Sequence, residues 1–156
     1  MARFILSTRI NAPAGICFDL ARSIDLHLMS MRSNGERAIA GVRSGLIGLN
    51  ETVTWQARHF GMFIKLTSKI TEFRYPDIFS DEMVSGPFKL LAHRHQFLPV
   101  NGYTLMIDEF VYTPPFGILG RLADSLFLKR YMLRLIRHRN QTIKDEAEMS
   151  PGASSI

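Results

Sequence analysis

The sequence predicts an α+β fold: one strand, two short helices, a run of about six further strands and a long C-terminal helix. Three observations carry that prediction. Apolar and polar residues alternate with period two through most of 52–112, as in strands with one dry and one wet face. Breaks rich in Gly, Pro and Asn divide this region into hairpin-sized pieces. From Phe116 to about Glu146, by contrast, Leu119, Leu122, Ala123, Leu126, Leu133, Ile136 and Ile143 recur at roughly helical spacing. Strands grouped ahead of one long helix imply α+β rather than an alternating βαβ order.

Arg3 to Ile10 alternates as the first strand. Asn11-Ala12-Pro13 ends it, and Pro13 suits a first helical turn, where its missing N–H has no partner to lose. Ile16, Phe18, Leu20 and Ala21 begin a short helix that Ser23-Ile24-Asp25 interrupts. Leu26 to Met31 supplies a second, and Ser33-Asn34-Gly35 a turn. Residues 36–40 read as a short strand. Residues 41–49 include Gly41, Gly45 and Gly48 and read equally as a flexible lid or a plain bent connection.

Thr52–Arg58 and Met62–Glu72 are strands joined at His59-Phe60-Gly61; in the second, Lys65, Thr67, Lys69 and Thr71 oppose Ile64, Leu66, Ser68 and Ile70. Tyr75-Pro76-Asp77 turns into Ile78–Val84, and Ser85-Gly86-Pro87 into Phe88–Phe97. Pro99-Val100-Asn101-Gly102 turns into Tyr103–Tyr112, with Asn-Gly as a hairpin signal. Thr113-Pro114-Pro115 closes the last strand. Gly117 and Gly120 weaken the first turns of the long helix on propensity. One helix does not fill a long curved sheet, so a cavity between the two is expected. One domain is expected over 1–148, with 149–156 as a flexible polar tail.

A chain of 156 residues, 46% hydrophobic, can bury a substantial core. No apolar run is long enough to cross a bilayer. The start, Met1 to Leu6, lacks the longer apolar stretch and cleavage site of a signal peptide, so a cytoplasmic location is the default expectation. Cys17 is the only cysteine, which excludes an internal disulfide and a cysteine-based metal site; it reads as a small buried hydrophobe. The net charge of +5 favours anionic surfaces weakly. Lys129, Arg130, Arg134, Arg137, Arg139 and Lys144 fall within sixteen positions that hold no acidic residue. A solvated outer helix face explains them, and attraction of the molecule to an anionic membrane surface is the competing reading. No nucleic-acid motif accompanies the charge, so no nucleic acid is expected as partner. Neither a dinucleotide fingerprint, a P-loop nor a nucleophile elbow is present, so no cofactor is expected.

The informative residues are polar groups set in apolar strand faces, which need partners once buried. Leu91-Ala92-His93-Arg94-His95-Gln96-Phe97 places His93, His95 and Phe97 on one face, and Thr104–Tyr112 places Asp108 between Met106 and Phe110. Trp55 shares a face with Val53 and Ala57, and Asp81 with Phe79 and Met83.

A series of short stretches occurs in a fixed order along the chain. They run from Ile10-Asn11-Ala12-Pro13 and Phe18-Asp19-Leu20-Ala21 through Gly45-Leu46-Ile47-Gly48 and Val53-Thr54-Trp55 to Gly61. They continue with Phe79-Ser80-Asp81, Ser85-Gly86-Pro87-Phe88, His93-Arg94-His95-Gln96-Phe97, Thr104-Leu105-Met106-Ile107-Asp108 and Tyr112. They end in Phe116-Gly117, Leu119-Gly120 and Tyr131-Met132, covering about residues 3–145. In this order they resemble the START-like, or SRPBCC, superfamily of helix-grip proteins, and within it bacterial ligand-binding SRPBCC proteins of unestablished activity that are polyketide cyclase-like. The resemblance implies a seven-stranded antiparallel sheet gripping the C-terminal helix around a hydrophobic ligand cavity.

Function does not follow from that fold alone. The expected role is binding or carriage of a small hydrophobic molecule. Trp55, Phe79, Phe97, Met106 and Phe110 would form the apolar wall, and Asp81, His93, His95, Asp108 and Tyr112 its polar points. The alternative is a cyclase- or dehydratase-like enzyme in which His95 and Asp108 act as an acid–base pair and Tyr112 as a proton donor. A protein-interaction domain with a vestigial cavity is a third class. His93 and His95 with Asp108 could form a three-ligand metal set, but two histidines at i and i+2 are weak support and no metal is expected. The oligomeric state stays open.

Overall fold

The computed structural model describes residues 1–150 and Gly152. Seven antiparallel strands form one sheet: β1 (Ala2–Ile10), β2 (Arg37–Gly41), β3 (Thr52–His59), β4 (Met62–Arg74), β5 (Ile78–Ser85), β6 (Leu90–Val100) and β7 (Tyr103–Thr113). Their order is β1-β7-β6-β5-β4-β3-β2, so every neighbour except the β1–β7 pair is also a neighbour in sequence. Two short helices, α1 (Ala14–Ala21) and α2 (Ile24–Ser30), follow β1. The C-terminal helical segment comprises α3 (Gly117–Ala123), a π turn (Asp124–Leu128) and α4 (Lys129–Met149). This is the α+β helix-grip layout expected from the sequence. Most of the expected tail lies outside the described residues.

Alternation puts the expected residues inward. Along β7 every second residue from Thr104 to Tyr112 is buried, and along β6 so are Leu91, His93, His95 and Phe97. The register then lines polar groups up across strands: Asp81 pairs with His93, His95 with Asp108, and Asp108 with Leu6 of β1. α4 meets this concave face along Ile136, Asn140, Ile143 and Ala147, spaced four, three and four apart as a helix stripe requires. One apolar cluster gathers Phe18, Phe79, Phe97, Met106 and Ile143; the other gathers Phe4, Leu91, Phe110, Tyr112 and Ile136.

Three details depart from the sequence reading or decide between its alternatives. The glycine-rich 41–49 segment is tethered: Ile24 N–H donates to the Gly45 carbonyl (2.9 Å), Gly45 N–H to Asp25 Oδ2 (2.8 Å), and Ile47 is buried. It is a bent connection pinned to the short helices. The long helix is interrupted. A π turn adds one residue to a turn, which rotates the following stripe by about 100° relative to the preceding one. Leu119, Leu122 and Leu126, expected in the core, are exposed for that reason, whereas Ile136 and Ile143 are buried. Arg139, expected in the basic outer stripe, turns inward and its Nη2 donates to the Ala21 carbonyl at 2.5 Å.

Gly120 has a steric reason for being glycine. A Cβ there would lie 1.7 Å from the Pro115 carbonyl oxygen, so α3 can sit on the Pro114-Pro115 corner only without a side chain at this position. Gly120→Ala is expected to displace α3 and lower stability by more than about 1 kcal/mol, beyond any helix-propensity gain; an unchanged urea midpoint would contradict that packing. Cys17 is fully buried in α1, and burial pushes its thiol up to about 11. A thiol-specific chromogenic reagent at neutral pH is therefore expected to label it only after unfolding.

Candidate functional site

Between the concave sheet face and the helices lies a cavity of about 480 Å³. Its walls are largely apolar, with Trp55, Leu66, Phe79, Phe110, Met132 and Ile136 among them. Set into those walls are His27, Glu36, Ser68, Asp81, His93 and Arg139. Phe60, Met62, Phe116 and Phe127 line it from the β3–β4 turn and the helical segment, and all four are exposed to solvent.

A buried polar layer lies along the β5–β6–β7 wall. His93 Nε2 donates to Asp108 Oδ1 at 2.8 Å, and Asn140 Nδ2 of α4 donates to Asp108 Oδ2 at 2.6 Å. Asn140 Nδ2 also reaches Thr8 Oγ1 of β1 at 3.3 Å. The rings of His93 and His95 lie against each other at a tilt, with centroids 3.8 Å apart. His95 has no exposed surface; Nδ1 comes within 2.9 Å of Asp108 Oδ1 and Nε2 within 3.4 Å of Asp81 Oδ2. Neither approach is aligned as a straight N–H···O bond, so both ring nitrogens are left without a hydrogen-bond partner.

Electrostatics sort these groups by charge. Burial acts to raise the Asp108 carboxyl, but the histidine contacts and charges outweigh it and hold the group well below the usual carboxylate range. Burial and the neighbouring His95 bring the His93 imidazole down to about 4, against the pull of Asp108. The pair is thus an ionised carboxylate beside a neutral imidazole. Asp81 is held ionised in the same sense: burial opposes it, and His95, His93 and Arg139 favour it.

Of the residues expected at the site, Trp55, Phe79, Asp81, His93 and Phe110 line the cavity. His95, Phe97, Met106, Asp108 and Tyr112 are fully buried in the wall behind it. His95 and Asp108 are brought together as the pairing of strands implied. Tyr112 is not part of that group, because its hydroxyl donates to the Asp124 carboxylate in the π turn. Burial and that carboxylate push the phenol well above its ordinary range.

Several cavity residues have no counterpart in the sequence reading. His27 stacks on Trp55 (centroids 4.1 Å) with Nε2 3.3 Å from Glu36. His59 Nδ1 is 2.6 Å from the Tyr131 hydroxyl, which also accepts from Asn34 Nδ2 at 3.2 Å. Burial lowers the His59 imidazole, partly offset by Glu36. The signal that could have found Asn140 and Arg139 was present: both fall on the α4 face marked by Ile136 and Ile143. His27, Glu36 and His59 carried no such signal, since their convergence depends on how β2 and β3 curl toward α2.

Neither a protein-family model nor a curated protein sequence matches the chain. Solved structures do. A protein from Thermus thermophilus superposes with a TM-score of 0.76 at 16% identity, over 94% of this chain and 97% of that one. The di-domain ARO/CYC BexL from the BE-7585A biosynthetic pathway gives 0.75 at 19% identity, over 96% of this chain and 51% of that one. A START superfamily protein from Mycobacterium smegmatis gives 0.66 at 11% identity, over 94% and 97%. At these identities the likeness is one of fold: the chain has a START-like helix-grip fold. Among the described residues no helix is long and apolar enough to cross a membrane.

Asp108→Ala would leave the His93 and Asn140 donors without an acceptor in a buried site. It is expected to lower unfolding free energy by on the order of 3 kcal/mol. Asn140→Ala is expected to cost about 1–2 kcal/mol. Because both act on one carboxylate, the double variant should fall short of the sum, which urea unfolding of the four proteins in a double-mutant cycle measures.

Proposed function

We propose that this protein binds and carries a small hydrophobic molecule in the cavity between sheet and helix, and that it loads and unloads while resting on an anionic membrane surface. The observation that carries the reading is the mouth. Phe60 is 55% exposed, Met62 61%, Phe116 80% and Phe127 50%, and all four line the cavity. Such an exposed apolar rim is unusual on a freely soluble surface.

Backbone conformation supports the same reading. Phe60 and Phe116 have φ of 52° and 63°, left-handed positions that cost a bulky side chain roughly 1–2 kcal/mol. Asn or Gly would sit there with less strain. Two strained, solvent-facing phenylalanines at one opening are accounted for if their partner is a lipid surface. Arg58, Arg121, Lys129 and Arg130 are exposed on the same segments, and their charge favours anionic headgroups. The apolar face is free at this end of the helical segment, and a basic amphipathic segment needs that to engage a bilayer. The cargo would lie against Trp55, Phe79 and Phe110, with a polar group directed to His93 and Asp81. A cytoplasmic setting fits this role.

A second reading, a cyclase-like enzyme acting on a hydrophobic carbonyl compound, draws on the fold likeness to BexL and on ionisable groups at the cavity wall. Acid–base work would fall to His93 and Asp81, which reach the cavity, with Asp108 holding the His93 ring.

Gentle purification from the native host followed by native mass spectrometry is expected to recover a defined apolar compound; repeated recovery of empty protein would refute storage of a tightly held cargo. In vesicle co-sedimentation, the protein is expected to bind phosphatidylglycerol-containing bilayers far better than pure phosphatidylcholine. Phe60→Asp with Phe116→Asp should reduce that binding by about tenfold or more while leaving the fold intact. Equal binding by the double variant would sink the membrane-docking part of the reading without touching the cargo part.

A further inference from the structure

We propose that Asp81, His93 and His95 form a binding site for one divalent transition-metal ion of the zinc or ferrous class, at the cavity wall. This goes beyond hydrophobic carriage and does not depend on it.

The ligand set is right for such an ion. Two imidazoles and one carboxylate are the donors that zinc and ferrous ions take when positions are left open for another ligand. They are brought together by strand geometry. His93 and His95 stand two residues apart on β6 and so share a face, and Asp81 on β5 is the direct cross-strand partner of His93. One donor atom from each residue lies within 4.8 Å of the other two. Metal bonds of about 2.0–2.2 Å place donors about 3–4 Å apart, so side-chain adjustments of under about 1 Å would close the site.

A second observation points to a ligand independently. His95 is fully buried, yet both of its ring nitrogens lack a hydrogen-bond partner. Such groups are uncommon in native interiors and ask for an explanation. Nε2 is turned toward Asp81 at 3.4 Å, where an ion bound between them would satisfy it. Among the described residues His95 is the only basic side chain within ion-pair distance of the Asp81 carboxylate. Arg139, the nearby guanidinium, is directed to the Ala21 carbonyl.

The surroundings also fit. Metal-bound imidazoles are oriented by a carboxylate on the far ring nitrogen, and that carboxylate is itself hydrogen-bonded. Here Asp108 takes His93 Nε2, leaving Nδ1 as the ligand atom, and Asn140 holds Asp108 in turn. Asp81 and His93 border the cavity, which supplies an entry path. The ion's remaining positions would face the cavity and accept a water or a cargo oxygen. The sequence reading weighed Asp108 as the third ligand and expected no metal; Asp81 is the residue that makes the set, and Asp108 is the support behind it.

The test uses the full chain without a histidine tag, stripped with a chelator. Zinc is titrated against a competing indicator, and cobalt is followed by its visible absorption. One ion per chain is expected, with Asp81→Asn and His95→Gln each weakening zinc binding by about tenfold or more. His138→Ala, on the exposed face of α4, should leave it unchanged. Should His95→Gln fail to fold, Asp81→Asn carries the test, because that side chain borders the cavity rather than the packed core. Absence of one-to-one binding, or binding that Asp81→Asn leaves intact, would overturn the site.

Discussion

The Asp108 carboxylate has no exposed surface, and the fold is organised around keeping it charged. A lone carboxylate in an apolar interior is strongly disfavoured unless donors surround it. Here they come from two directions, His93 on the neighbouring strand and Asn140 on the helix, and the His95 ring lies close beside the carboxylate. Asn140 also reaches Thr8 on the opposite side. One buried charge thereby ties β6, β7, β1 and α4 together at a single point. Apolar packing would hold the helix against the sheet anywhere along its stripe; the polar contact sets the depth and rotation at which it lies.

That setting controls the cavity. With Asn140 fixed over Asp108, Ile143 and Ala147 pack into the aromatic cluster around Phe18, and Ile136 reaches the cluster around Phe110. The space between these anchors and the far strands is what α4 cannot fill. Its walls carry the groups that the anchor leaves facing outward, His93 and Asp81 above all. A wall that is rigid because its polar groups bond one another is a suitable backing for either a cargo's polar end or a metal ion.

The opening follows a different logic. The π turn breaks the stripe of the C-terminal segment, so the apolar residues before it no longer face the sheet. α3 instead sits on the Pro114-Pro115 corner, made possible by Gly120, and leaves Ile118, Leu119 and Leu122 in solvent. The interior is packed around its polar layer, while the rim exposes apolar side chains to solvent.

The strand alternation, the Asn-Gly hairpin and the grouping of strands before a helix determined the α+β class and the inward facing of His93, His95 and Asp108, because those depend on local period and turn chemistry alone. The stripe through Ile136 and Ile143 likewise marked the inner face of α4. The sequence alone did not separate residues that touch the cavity from those sealed behind its wall, since period two gives a face but not a depth. Nor did it reveal the π turn, or the pairing of Asp81 with the two histidines, which depends on the β5–β6 register. Only the tertiary structure decided those, because each is set by how curved the sheet is and where the helix comes to rest on it.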